Sequence, residues 1–115
     1  MKQHILVCDA ERHITRLIQV NLERQGFAVT TASDCEQAIR LLDTEPFEQV
    51  VLDATMGGVD SGYDVLLHIR SREETKNMPV TLVFVSDEDR AEWELKPYRA
   101  DRAVVMPFSP SDLLP

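Results

Sequence analysis

The stretch Gln49-Val50-Val51-Leu52-Asp53-Ala54-Thr55-Met56-Gly57-Gly58 decides how the rest of the chain is read. A short apolar run stops at a carboxylate and then breaks into glycines. An apolar run without polar alternation marks a parallel strand covered on both faces. Asp53 then sits at the C-terminal lip of that strand, where open α/β sheets gather ligands and chemistry. A second apolar run, Ile5-Leu6-Val7-Cys8, ends in the same way at Asp9. If the two runs lie side by side, their carboxylates share one acidic pocket.

The segments around these runs alternate in character. Residues 11–25 follow helical spacing, with Ile14, Leu17, Ile18, Asn21 and Leu22 on one face and Gly26 where a C-cap glycine belongs. Residues 27–31 are β-branched and short, a second strand. Ser33-Asp34-Cys35-Glu36 reads as a capping box with Ser33 as N-cap, opening a helix that carries Ala38, Ile39, Leu41 and Leu42. After the strand at 48–53, Tyr63, Val65, Leu66 and Ile69 define a third helix, with Arg70-Ser71-Arg72 as its solvated end. Val80 to Val85 is a fourth strand, and residues 87–98 form a short helix anchored by Trp93 and Leu95. Residues 103–106 are a fifth strand. Ser109-Pro110-Ser111-Asp112 has a helix-start signature. The sequence stops at Pro115, so this last helix is expected to be truncated. A partner or a second copy, as a homodimer, is then expected to cover the sheet face it would leave. The alternation predicts one α/β domain over residues 1–115, a parallel sheet wrapped by helices.

Composition narrows the function. The chain has 115 residues, 43% hydrophobic and 28% charged, and a net charge of −8. Those values fit one soluble globular domain. Phosphate contacts need clustered Lys and Arg, so nucleic-acid binding by this domain is not expected. Its apolar runs are too short to span a bilayer, and no signal peptide precedes the first strand. The chain is therefore expected in the cytoplasm, with Cys8 and Cys35 reduced and serving as packing residues. His4, His13 and His68 lack metal-ligand spacing, and Gly57-Gly58 is a turn without the Lys-Ser/Thr of a phosphate-binding loop. Nothing supplies the nucleophile–base pair of an enzyme.

Taken in order, certain residues resemble the receiver domain of two-component response regulators over nearly the whole chain. They are Ile5-Leu6-Val7-Cys8-Asp9-Ala10-Glu11, Gln25-Gly26-Phe27, Val50-Val51-Leu52-Asp53, Asp60-Ser61-Gly62-Tyr63, Met78-Pro79-Val80, Ala100-Asp101 and Met106-Pro107-Phe108. The resemblance implies a flavodoxin-like, doubly wound five-stranded parallel sheet of order 2-1-3-4-5, in which strands 1 and 3 are neighbours. It implies that Asp53 stands where the family accepts a phosphoryl group from a histidine kinase. It further implies that Mg²⁺ is held by Asp9, Asp53 and the carbonyl of Thr55.

The sequence also departs from the family's pattern. Ala10 replaces a metal-ligating acid, and Glu11 lies one residue further on. Met106 replaces the lysine that would clamp the phosphoryl oxygens, and a thioether offers only a weak acceptor. Ala103 stands where the switch aromatic usually lies. The switch hydroxyl is Ser86 if a small insertion is allowed, whereas counting from Pro79 puts Phe84 there. These departures share a direction. They predict a degenerate receiver with weak Mg²⁺ binding and weak or absent phosphorylation, acting through contacts with a histidine kinase or another signalling protein. The alternative is a conventional Mg²⁺-dependent switch at Asp53.

Overall fold

The computed structural model describes residues 2–56, 61–97 and 100–106. Nine elements alternate along them: β1 His4–Cys8, α1 Arg12–Arg24, β2 Ala28–Ala32, α2 Cys35–Thr44, β3 Gln49–Asp53, α3 Ser61–Ser71, β4 Val80–Phe84, α4 Asp87–Trp93 and β5 Arg102–Val105. The strands form one sheet in the order β2-β1-β3-β4-β5, all neighbours parallel. This is the expected doubly wound sheet. The expected final helix lies outside the described residues.

Side chains on a strand alternate between faces, and the core divides accordingly. Leu6, Cys8, Val50, Leu52, Val80, Leu82 and Phe84 face one layer with Ala38 and Leu42 of α2 and Val65, Leu66 and Ile69 of α3. Ile5, Val7, Val51 and Val83 face the other, against Ile18 and Leu22 of α1. Both faces of β1, β3 and β4 are buried, which is why these strands read as unbroken apolar runs.

Several local expectations are corrected. The N-cap of α2 is Asp34, not Ser33. Asp34 Oδ1 accepts the Gln37 N–H at 2.7 Å, while the Gln37 side chain takes the Ser33 N–H at 2.9 Å. The cap starts one residue later, where a carboxylate is a strong acceptor for an N-terminal amide, and the Gln37 side chain bonds the amide preceding the cap rather than the cap's own. Leu17 and Leu95 are exposed at 54% and 86%, so neither anchors its helix. Trp93 alone holds α4 down, edge-on to Phe84 at 5.9 Å and to Tyr63 at 5.4 Å. Arg70 is not solvated. Its side chain, 12% exposed, donates to Asp101 Oδ1 at 3.0 Å and to the carbonyls of Met78 and Lys76. The same Asp101 Oδ1 accepts the Val80 N–H at 2.8 Å, so one ion pair ties α3, the start of β4 and the entry to β5.

Candidate functional site

The site begins with strand register. Cys8 of β1 pairs with Leu52 of β3, and Leu52 pairs with Leu82 of β4. Asp9 and Asp53 each follow one residue later and so turn to the α1 face of the sheet. Met106 packs onto that same face beyond β5, and its N–H donates to the Phe84 carbonyl at 2.8 Å.

Each carboxyl is held by its own loop. Asp9, only 5% exposed, accepts the Glu11 N–H on Oδ1 at 2.9 Å, and its backbone N–H donates to Ala32 O. That bond fixes the turn from β1 into α1, where the carbonyl of Glu11 also takes the first helical amides. Asp53 accepts the Thr55 N–H at 3.1 Å and the Thr55 hydroxyl at 3.3 Å, both on Oδ1. Asp-Ala-Thr thus closes a small turn through a side chain two residues ahead. Behind it, Gly62 of α3 lies so close that a Cβ there would stand 2.3 Å from the Ala54 carbonyl oxygen.

Parallel register sets the two carboxyls beside each other at the lip of the sheet, close enough for each to shift the other's titration. Burial is the largest influence on both and makes the charged forms costly. It lifts Asp9 to about 6, with the neighbouring Asp53 and Glu11 charges adding to the rise against the Glu11 amide bond. Asp53 is also raised by burial, but the two Thr55 bonds and the shared bond with Asp9 pull it back. Of the two, Asp9 is the one whose proton is held up to about 6, while the Thr55 bonds favour the charged form of Asp53 against its burial. No guanidinium or ammonium figures among these influences, and neither carboxylate is ion-paired with a described residue.

The remaining sequence-predicted residues are placed as follows. Ala10 is exposed beside Asp9 and presents only a methyl group. Ser86 caps α4, its Oγ accepting the Asp89 N–H at 3.2 Å. β3 and β4 pair in continuous register from Val50–Val80 to Asp53–Val83, and Phe84 is buried in the core. Ala103 pairs with Leu82 and borders a hollow of about 240 Å³ between α4 and β5, also lined by Phe84 and Trp93. Cys8 is buried with Cys35 near it, and burial, more than the Cys35 and Asp9 charges, pushes its thiol well up, so the protonated thiol is favoured over the thiolate. His4 bonds Thr30 Oγ1, His13 faces Glu11 and His68 pairs with Asp43. Among the described residues, no three His, Cys, Asp or Glu side chains gather as a metal site. Sequence reasoning missed the Thr55 hydroxyl and amide as Asp53's partners, although the Asp-x-Thr spacing carries that signal. It also missed the contact of Gly62 with the Asp53–Ala54 backbone, which no local pattern announces.

A doubly wound parallel sheet with paired carboxyls at the lips of its two central strands defines a signalling receiver. The family model described as "Response regulator receiver domain" matches residues 5–115, and the chain belongs to that family. Among curated proteins it is 34% identical over 98% of its length to the alkaline phosphatase synthesis transcriptional regulatory protein PhoP of Bacillus subtilis, covering 46% of that protein. It is 35% identical over 96% of its length to protein PetR of Rhodobacter capsulatus, covering 45%. The chain thus spans about half the length of these relatives. Among solved structures, the response regulator TrrA of Thermotoga maritima, in complex with Mg(2+)-BeF, is 30% identical, with a TM-score of 0.81 and coverage of 93% of this chain and 89% of that one. The chemotaxis response regulator CheY4 of Vibrio cholerae shares the fold, with a TM-score of 0.88, 23% identity and coverage of 98% and 93%. Among the described residues, no helix is long and apolar enough to cross a membrane.

Proposed function

We propose that this receiver carries an impaired phosphoryl-acceptor site and works chiefly through contacts with a histidine kinase or another signalling protein. The observation that carries this reading is what surrounds the Asp9–Asp53 pair: the residue beside Asp9 is Ala10, exposed and bearing only a methyl group, and the residue beyond β5 on the same sheet face is Met106, which brings no positive charge. Phosphoryl transfer to a carboxylate needs a divalent cation and a fixed positive group on the transferred oxygens. Mg²⁺ can be held by one or two carboxylates with water and phosphate oxygens. Asp9, Asp53 and the Thr55 carbonyl are the donors this chain would offer. Bound there, the cation would supply charge neutralisation at the acceptor.

The donor set fits such an ion thinly. Ala10 contributes no ligand, and at the phosphoryl side Met106 replaces a charge-assisted bond worth about 1.5–3 kcal/mol. Loss of one such bond is tenfold or more in affinity. Ser86 and Ala103 would be the switch positions. An alanine at the second leaves little side chain to reorient.

The conventional switch at Asp53 is the second reading. It is favoured by the Thr55 bonds, which orient the Asp53 carboxylate and favour its charged form against burial. Acetyl phosphate with Mg²⁺, followed by intact-mass measurement, separates the two. The impaired reading expects little or no phosphoryl adduct. A prompt adduct on the full chain, absent in Asp53→Asn, establishes the conventional switch instead. DNA binding, where the curated relatives are transcriptional regulators, would belong to other domains.

A further inference from the structure

Beside the acidic pocket, between α1 and the β2–α2 connection, lies a groove of about 490 Å³. That is within the range of about 300–1,000 Å³ that small-molecule sites occupy. Arg12 and Arg16 line it one turn apart on α1, and Gln19 continues the row. Thr31 and Gln37 line it from β2 and α2, and Asp9 closes the end toward the acceptor site.

Arg12 and Arg16 are both exposed, and neither forms an ion pair with a described residue. Elsewhere Arg40, Arg70, Arg72 and Arg90 each hold a carboxylate. Like charges four residues apart on a helix repel each other. In a chain of net charge −8, two unpaired guanidiniums at that spacing form a local positive site that an anion would relieve. The planar guanidinium fork matches phosphate oxygens. Asp9, 5% exposed and with its Oδ1 taken by the Glu11 amide, offers the groove little carboxylate surface.

The rest of the lining limits the ligand further. Gln19 and Gln37 offer amides, with Gln37 Oε1 already accepting from Ser33. Thr15, Thr31 and Ser33 offer hydroxyls, and among the described residues the apolar walls are Ala10 and Ala32. Among the described residues, no aromatic side chain lines the groove, so a nucleobase would find no stacking surface there. We propose that the groove binds a phosphorylated polyhydroxyl compound of the sugar-phosphate class. Its phosphoryl group would sit on Arg12 and Arg16, and its hydroxyls on Gln19, Thr31 and Gln37. Neither arm depends on whether Asp53 accepts a phosphoryl group.

Calorimetric titration of the full chain with chelator present tests the assignment, using ribose 5-phosphate and glucose 6-phosphate as probes. Ribose, glucose, inorganic phosphate and adenosine monophosphate are the comparisons. A sugar phosphate is expected to bind about tenfold or more tightly than inorganic phosphate, with each of Arg12→Ala and Arg16→Ala weakening it about tenfold. Asp53→Asn should leave the binding unchanged, which separates this groove from the acceptor site. Both arginines are exposed, so unaltered thermal unfolding of the variants is expected and is checked alongside. Three results each overturn the proposal. They are no binding of either sugar phosphate, equal affinity for inorganic phosphate, or binding that survives loss of both arginines. Tighter binding of adenosine monophosphate than of either sugar phosphate overturns the ligand class.

Discussion

Asp9 and Asp53 are the next residues beyond the Cys8–Leu52 pair of the β1–β3 ladder, and their carboxyls lie close enough to shift each other's titration. Parallel register alone brings them there, because both strands end at the same level of the sheet. Once adjacent and half-withdrawn from water, two carboxyls cannot both ionise cheaply, so the second proton is held to a higher pH than usual unless a cation intervenes.

That relationship predicts how stability depends on pH. Asp9 rises to about 6 when folded, against an ordinary value of about 4 for an unfolded aspartate. Between those two values the folded state binds more protons than the unfolded state, so stability falls as pH rises through the window. The contribution is fully present below about pH 4 and lost above about pH 6. A two-unit shift is worth at most about 3 kcal/mol. Asp9→Asn keeps an acceptor for the Glu11 amide and removes the charge. It should raise stability at neutral pH by about 1–2 kcal/mol and flatten the slope between the two values. Urea unfolding at several pH values in chelator reads this directly, and an unchanged slope in the variant contradicts it.

Restoring the missing groups should restore cation binding. Ala10→Asp adds a third carboxylate beside Asp9, and Met106→Lys adds an ammonium on the sheet face that Asp53 shares. The acid alone should strengthen Mg²⁺ binding by about tenfold or more, measured calorimetrically. The double variant should also accept a phosphoryl group from acetyl phosphate. If Mg²⁺ affinity does not change, the loops rather than the two substitutions limit the site.

Gly62 is required by proximity, not by backbone conformation. A Cβ at this position would meet the Ala54 oxygen at 2.3 Å, the Ala54 carbon at 2.6 Å and the Asp53 oxygen at 2.7 Å. All three are backbone atoms that cannot swing aside. Gly62→Ala should therefore destabilise the fold by about 1–3 kcal/mol and displace the Asp53–Thr55 turn. The denaturation midpoint measures the first effect, and amide chemical shifts of residues 53–56 report the second. A variant with the parent's midpoint would show that α3 can retreat without cost.

Much of this architecture was legible in the sequence. The strand at 4–8 and the strand ending at Asp53 appear where their apolar runs place them. Most other element ends fall within a residue or so of expectation, while α4 closes at Trp93 rather than at residue 98. Burial periodicity is local information, and a parallel sheet writes it strongly because both faces of its central strands are dry. The acid pair was legible for the same reason: each aspartate ends an apolar run, and strand order makes the two runs neighbours.

What local pattern cannot carry is the choice among equivalent partners. Trp93 and Leu95 look alike as anchors, yet one is buried and the other 86% exposed, because only the first meets Phe84 and Tyr63. Arg70 looks like a solvated helix end until Asp101, 31 residues away, arrives beside it. Arg12 and Arg16 look like an ordinary polar face until β2 and α2 supply the opposite wall of a groove.

The sequence by itself determined the elements, their order and the acids at the strand ends, since helical and strand periods are properties of neighbouring residues. Only the tertiary structure decided which charges are paired, which carboxyls burial holds above their ordinary range and where space remains between elements. Those depend on groups far apart in the chain that meet through packing, and on the burial which that packing imposes.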